Sequence, residues 1–199
     1  ATLSLALAML IAGSPGTAVA QVTVLLPTDG DLQATLALPG DVQRGKDAYA
    51  ECQTCHRTDA SGRAAFNIPR LSGQHASVII KQLMDIRSGL RVNEDMREYM
   101  HDSDLTLQDF ADMAAYLQSL PVVGKIGQGP PELVPRGQAL YASDCSGCHG
   151  EHAEGRPELF FPMLASQHYG YLLREIDLIL SGERGNSNPA MPPILKNYS

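Results

Sequence analysis

Two five-residue stretches carry the chemistry of this chain: Cys52-Gln53-Thr54-Cys55-His56 and Cys145-Ser146-Gly147-Cys148-His149. Two thiols three positions apart can each add across one vinyl group of a haem. A histidine directly after the second thiol is then held under the iron as its proximal ligand. Cys52, Cys55, Cys145 and Cys148 are all the cysteines of the chain, so no thiol is left for a structural disulfide. The pattern therefore implies two covalently attached haem c groups, with His56 and His149 on the irons. Two competing readings are weaker. A thioredoxin-like redox pair belongs in a strand-helix-strand unit and does not ask for a fifth-place histidine. A zinc site built from both pairs wants them roughly 15 to 20 residues apart, whereas Cys52 and Cys145 are separated by 93 positions.

The elements that must position these motifs read as helices, and the fold class is all-α. Asp41 can cap a helix from Val42 through Ala50, with Tyr49 inward, that runs straight into the first motif. After a polar loop, a helix from about Ala76 to Ser88 has the apolar stripe Val78, Ile79, Leu83 and Ile86, and Gly89 stops it. Thr106 caps a last helix through Leu120, with Phe110, Met113, Ala114 and Leu117 inward and Pro121 at its end. A second copy follows: Arg136-Gly137 to Tyr141 repeats Arg44-Gly45 to Tyr49 at an offset of 92. Beyond the motif the offset is 93, pairing Pro69 with Pro162, Gln74-His75 with Gln167-His168, and Arg91 with Arg184. The carbonyls of Pro69 and Pro162 could each accept the ring N–H of the proximal histidine and fix its tautomer.

The organisation expected is thus one haem domain over 41–121, a linker over 122–135 and a second haem domain over 136–199. Ser199 is the counterpart of Thr106, so the second copy stops where its last helix should begin. The expectation is a longer protein or another subunit covering that face. Residues 1–20 contain the apolar run Leu3 to Ala12 and Ala18-Val19-Ala20, the small-x-small form of a signal-peptidase site. They read as a signal peptide or a retained apolar segment that could associate with a membrane. The run is shorter than the about 20 apolar residues of a spanning helix. Residues 21–40 read as an extended arm or linker, with a β-prone patch at Val22 to Leu26.

A chain of 199 residues allows two small domains. At roughly 70 to 80 residues an unaided core is marginal, so a central haem would be structural as well as functional. The net charge of −7 and pI near 5.3 argue against nucleic acid as a partner and favour a basic patch on a redox protein. Glu94, Asp95, Glu98, Asp102, Asp104, Asp109 and Asp112 stand against the single base Arg97. Such a run is a solvated helix face or, functionally, a docking edge.

Two Cys-x-x-Cys-His units, each followed by Pro-x-Leu-x-x-Gln-His and Gly-x-Arg-x-Asn, resemble the diheme class I cytochromes c of the cytochrome c-4 family over about Asp41 to Ser199. The resemblance implies a periplasmic carrier, free or attached to the outer face of the inner membrane, passing single electrons between respiratory or photosynthetic partners such as a membrane-bound oxidase, reductase or dehydrogenase. It implies no catalytic residue. The alternatives are a haem subunit of a larger dehydrogenase or oxidase complex, and a diheme enzyme such as a peroxidase or thiosulfate dehydrogenase with an open iron. A thioether opposite the histidine closes the iron and raises its potential. For the second haem the candidate is Met191, in the stiff loop Asn188-Pro189-Ala190-Met191-Pro192-Pro193; Met163 reads as packing. Carrying Met191 back by 93 lands on Glu98, flanked by Met96 and Met100. The family pattern favours Met96, with Met100 as the alternative. Met84 and Met113 read as core filler. His75 and His168 read as capping or surface residues, His152 as a loop residue, and His101 as a minor candidate ligand.

Overall fold

The computed structural model describes residues 30–101, 104–122, 124 and 126–198. The apolar segment at 1–20 and the patch at 22–26 lie outside the described residues. So does the side chain of His101. Among the described residues the backbone is helical apart from turns and two isolated β-bridges.

The first repeat holds α2 (Val42–Ala48), α3 (Gln53–His56), α4 (Ala76–Arg87), α5 (Glu94–His101) and α6 (Leu107–Ser119). Ahead of them the stretch expected to be extended is instead helical over Gly30–Ala37, here α1. Leu32 and Leu36, one turn apart, give α1 an apolar edge, and Leu32 is buried in the main core. Thr35 is buried too, at no cost in unpaired groups, because its Oγ1 donates to the Asp31 carbonyl at 2.7 Å. That edge packs on α4 and α6.

The caps follow the sequence. The Asp41 carboxylate accepts from the Arg44 backbone N–H at 2.8 Å, and Thr106 with Asp109 forms a reciprocal capping box. Helices α2 and α6 then cross at Gly45. A β-carbon there would stand 2.0 Å from the Asp112 carbonyl oxygen, so only glycine allows the approach. Asp112, counted above among surface acids, is in fact 1% exposed. Its carboxylate accepts from the Asp41 N–H at 2.7 Å and from Arg44 Nε at 2.6 Å and Nη2 at 3.0 Å. It staples the start of α2 to α6, and a buried carboxylate so paired has no need of the surface. Asp109 is likewise used by the capping box.

The second repeat has α7 (Val134–Leu140), α8 (Ser146–His149), α9 (Tyr169–Ser181) and α10 (Met191–Leu195). Its change of offset from 92 to 93 has a structural cause. One additional residue between Tyr141 and Cys145 is absorbed by a π-helical turn over Tyr141–Cys145. Both tyrosines consequently keep the same task. Tyr49 OH donates to the Arg57 carbonyl at 3.0 Å and Tyr141 OH to the Gly150 carbonyl at 2.7 Å, in each case the residue after the motif histidine.

The repeats meet face to face about a local two-fold. Gln74 accepts from the Met163 N–H and donates to the Met163 carbonyl, both at 2.9 Å. Gln167 does the same to Arg70, at 2.9 and 3.0 Å. Met163 is the repeat counterpart of Arg70, so the contact is isologous, residue i on j and j on i. Arg91 and Arg184 continue the symmetry: both reach Gln82 Oε1, at 2.9 and 3.4 Å, and both pair with Glu175, at 3.0 and 2.9 Å. Gln82 and Glu175 are themselves counterparts. The charge on Glu175, absent from Gln82, is a departure from two-fold symmetry in this cluster.

Candidate functional site

Each Cys-x-x-Cys-His motif ends in a single helical turn, α3 or α8, that buries its histidine. The chain then reverses through a tight loop, closed by the bridge Arg63 to Ile68 in the first repeat and Arg156 to Phe161 in the second. Gly62 and Gly155 sit in these loops at φ of 71° and 80°. A β-carbon on either would press within 2.6 Å of the backbone at Pro69 or at Pro162 and Met163. The reversal carries the proline carbonyls back to the histidines as expected. His56 Nδ1 donates to Pro69 O at 3.1 Å and His149 Nδ1 to Pro162 O at 3.3 Å. A carbonyl only accepts, so Nδ1 bears the proton and Nε2 is left with its lone pair.

Electrostatics point the same way. Burial pushes both imidazoles below the ordinary histidine range, against the opposing pull of the proline hydrogen bonds. Each ring is neutral at neutral pH, the form a metal ligand requires. The thiols are displaced oppositely: burial pushes Cys52 up to about 11 and also raises Cys145. A redox-active pair uses a depressed thiol, the opposite of the displacement at Cys52 and Cys145. Among the described residues no three of His, Cys, Asp and Glu converge as a bare-metal cage would need. The donor set instead fits a group that brings four iron donors of its own: two thiols for vinyl addition and one neutral, pinned imidazole.

The methionines are placed as follows. Met96 and Met100 share one face of α5, a turn apart. Asn93 starts that helix by accepting from the Met96 N–H at 3.1 Å, a cap the sequence reading passed over. Met100 is 4% exposed, inside the main core, while Met96 packs at its rim. Met191 opens α10, half-buried, with its N–H on the Asn188 carbonyl at 2.9 Å and the Asn188 side chain accepting from the Ala190 N–H at 3.0 Å. Met84 and Met113 are core residues. Met163 lies in the repeat contact.

His75 and His168 make no side-chain cap on α4 or α9. They reach across the boundary: His75 Nε2 to the Glu154 carbonyl at 2.6 Å, His168 Nε2 to the Ser61 carbonyl at 2.8 Å. Ser61 and Glu154 are again counterparts, each five residues past a motif histidine. No residue-type rule marks this role, because it exists only once the repeats are apposed.

The cytochrome c family model matches residues 42–121 and 134–198. The chain belongs to the cytochrome c family, in its diheme cytochrome c4 branch. It is 35% identical over 175 residues to cytochrome c4 of Thiocapsa roseopersicina, covering 82% of this chain and 87% of that protein. It is 33% identical over 178 residues to the thiosulfate dehydrogenase electron acceptor of Stutzerimonas stutzeri, covering 80% and 81%. Its backbone matches the crystal structure of reduced recombinant cytochrome c4 from Pseudomonas stutzeri with a TM-score of 0.72 at 29% identity, over 80% of this chain and 92% of that one. This cytochrome c4 homologue is a diheme electron-transfer protein carrying two covalent haem c groups. Among the described residues no helix is long and apolar enough to cross a membrane.

Proposed function

We propose that the protein is a periplasmic electron carrier with no enzymatic site, in which a histidine and a methionine would hold each haem iron. Haem c supplies a one-electron iron couple; the chain holds it, orients it and excludes water. Cys52 and Cys55, and Cys145 and Cys148, anchor the two groups. His56 and His149 would ligate the irons through Nε2, the nitrogen left free by the proline carbonyls. The observation that carries this reading is the matched pinning of both imidazoles, buried and neutral, on the carbonyls of Pro69 and Pro162.

For the opposite side we assign Met191 to the second haem and Met100 to the first. The sequence pattern favours Met96; we prefer its alternative, Met100, which is the deeper of the two. The relative that serves as a thiosulfate dehydrogenase's electron acceptor favours a dehydrogenase as one class of donor. An optical redox titration of the purified holoprotein tests the carrier reading. The expected result is two haems per chain, each titrating with one electron, and no carbon monoxide bound after reduction. Binding of carbon monoxide to either ferrous haem would support an enzyme instead.

A further inference from the structure

His168 is 2% exposed at the boundary between the repeats. Its Nε2 faces the Ser61 carbonyl at 2.8 Å and so must carry a proton. Its Nδ1 is buried and has no hydrogen-bond partner among the described residues. Leaving a buried imidazole nitrogen unmatched costs about 1 to 3 kcal/mol, and a shorter apolar residue at this place would avoid that cost. Ser72 Oγ, in a residue 1% exposed, is a second such atom. It lies in the segment whose Arg70 and Gln74 reach across the same boundary. His75, the counterpart of His168, is only half-buried, and its Nδ1 is not among the buried unmatched atoms.

Two haems bring four carboxylates into this small protein, and these are the parts of the cofactor that demand polar partners when dry. We propose that His168 Nδ1 hydrogen-bonds a propionate carboxylate of one haem, with a single proton held between the two groups. One imidazole then ties that haem edge, through Nε2, to the backbone of the first repeat. His168 is a positioning residue. The proposal rests on the presence of the haems and not on which methionine closes the first one.

The test uses holoprotein whose haem count has first been measured, so that a failure of the two-haem reading shows itself separately. His168→Gln keeps an amide near the Nε2 position and leaves nothing at Nδ1, whereas His168→Asn does the reverse. Losing a donor to an anionic carboxylate favours the ferric state. His168→Gln should therefore shift the oxidised-to-reduced ratio of one haem roughly threefold at fixed potential, about 28 mV at 59 mV per tenfold. It should also move that haem's propionate vibrations, and His168→Asn should restore both. If His168→Gln matches the unaltered protein while His168→Asn does not, the residue is only a strut to Ser61 and the proposal is overturned. Nitrogen NMR of the reduced, unaltered holoprotein gives an answer independent of variants. A His168 ring with both nitrogens hydrogen-bonded is expected, and a free lone pair on Nδ1 would overturn the proposal.

Discussion

The residue after each motif histidine has positive φ with extended ψ: 69° and 165° at Arg57, 86° and 159° at Gly150. This region is essentially reserved for glycine. The second repeat conforms and the first does not, although Tyr49 fixes the same carbonyl that Tyr141 fixes. Arg57 is exposed, so its side chain has little to lose. Arg57→Gly should stabilise the holoprotein by about 1 kcal/mol, read as a rise in the denaturant midpoint with unchanged slope. Gly150→Ala should cost a similar amount. At this scale the sequence was most legible where covalent chemistry dictates residue type, as in the two motifs and the proline carbonyls. It was silent on His168, whose burial depends on a surface 107 positions away at Ser61.

Helices α2, α4 and α6 could be read from caps and stripes to within about two residues. Helices α1 and α5 were missed because neither pairs a recognised cap with a clear apolar stripe: α1 shows little more than Leu32 and Leu36 on its inward edge, and polar residues dominate α5. For α5 the signal was present in Asn93 followed by Glu94 and Asp95, a cap with acids in the first turn. The π-turn before Cys145 was visible only as a one-residue slip between copies. What the sequence could not convey is how closely elements approach. Gly45→Ala forces α2 from α6, since the helix backbone of Asp112, with Tyr116 Cβ at 2.9 Å, blocks the methyl. The expected loss is about 3 kcal/mol, measured by thermal unfolding. Gly137, its counterpart on α7, has no atom within 4 Å of an added β-carbon, and Gly137→Ala should be neutral or mildly stabilising, as for glycine in any helix.

Across the whole molecule the two repeats are held by backbone clamps from Gln74 and Gln167 and by one charged knot. Burial alone would raise the Glu175 carboxyl, but Arg91, Arg184 and Arg174 outweigh it and hold it below the ordinary range. A carboxyl lowered on folding contributes stability that is complete above its unfolded value, about pH 4.3, and is lost as pH falls through the lower folded value. Glu175→Gln recreates the residue found at position 82 and leaves Arg91 and Arg184 without their shared carboxylate. A loss of about 3 kcal/mol is expected, and with it the part of the acid-unfolding slope that Glu175 supplies. If the slope is unchanged, the knot does not join the halves. The duplication itself was legible as a constant offset, while the two-fold apposition was not, because Gln74 and Gln167 are ordinary surface residues until each meets the other repeat.

The central claim is that each iron would be closed by a thioether, from Met100 in the first repeat and from Met191 in the second. The methionine-to-iron charge-transfer band of the ferric protein tests it most directly, compared across Met100→Leu, Met96→Leu and Met191→Leu. The account predicts a band from both haems, halved by Met100→Leu, halved by Met191→Leu and unaffected by Met96→Leu. A band that survives both of the first two substitutions, or that represents only one haem in the unaltered protein, would contradict it.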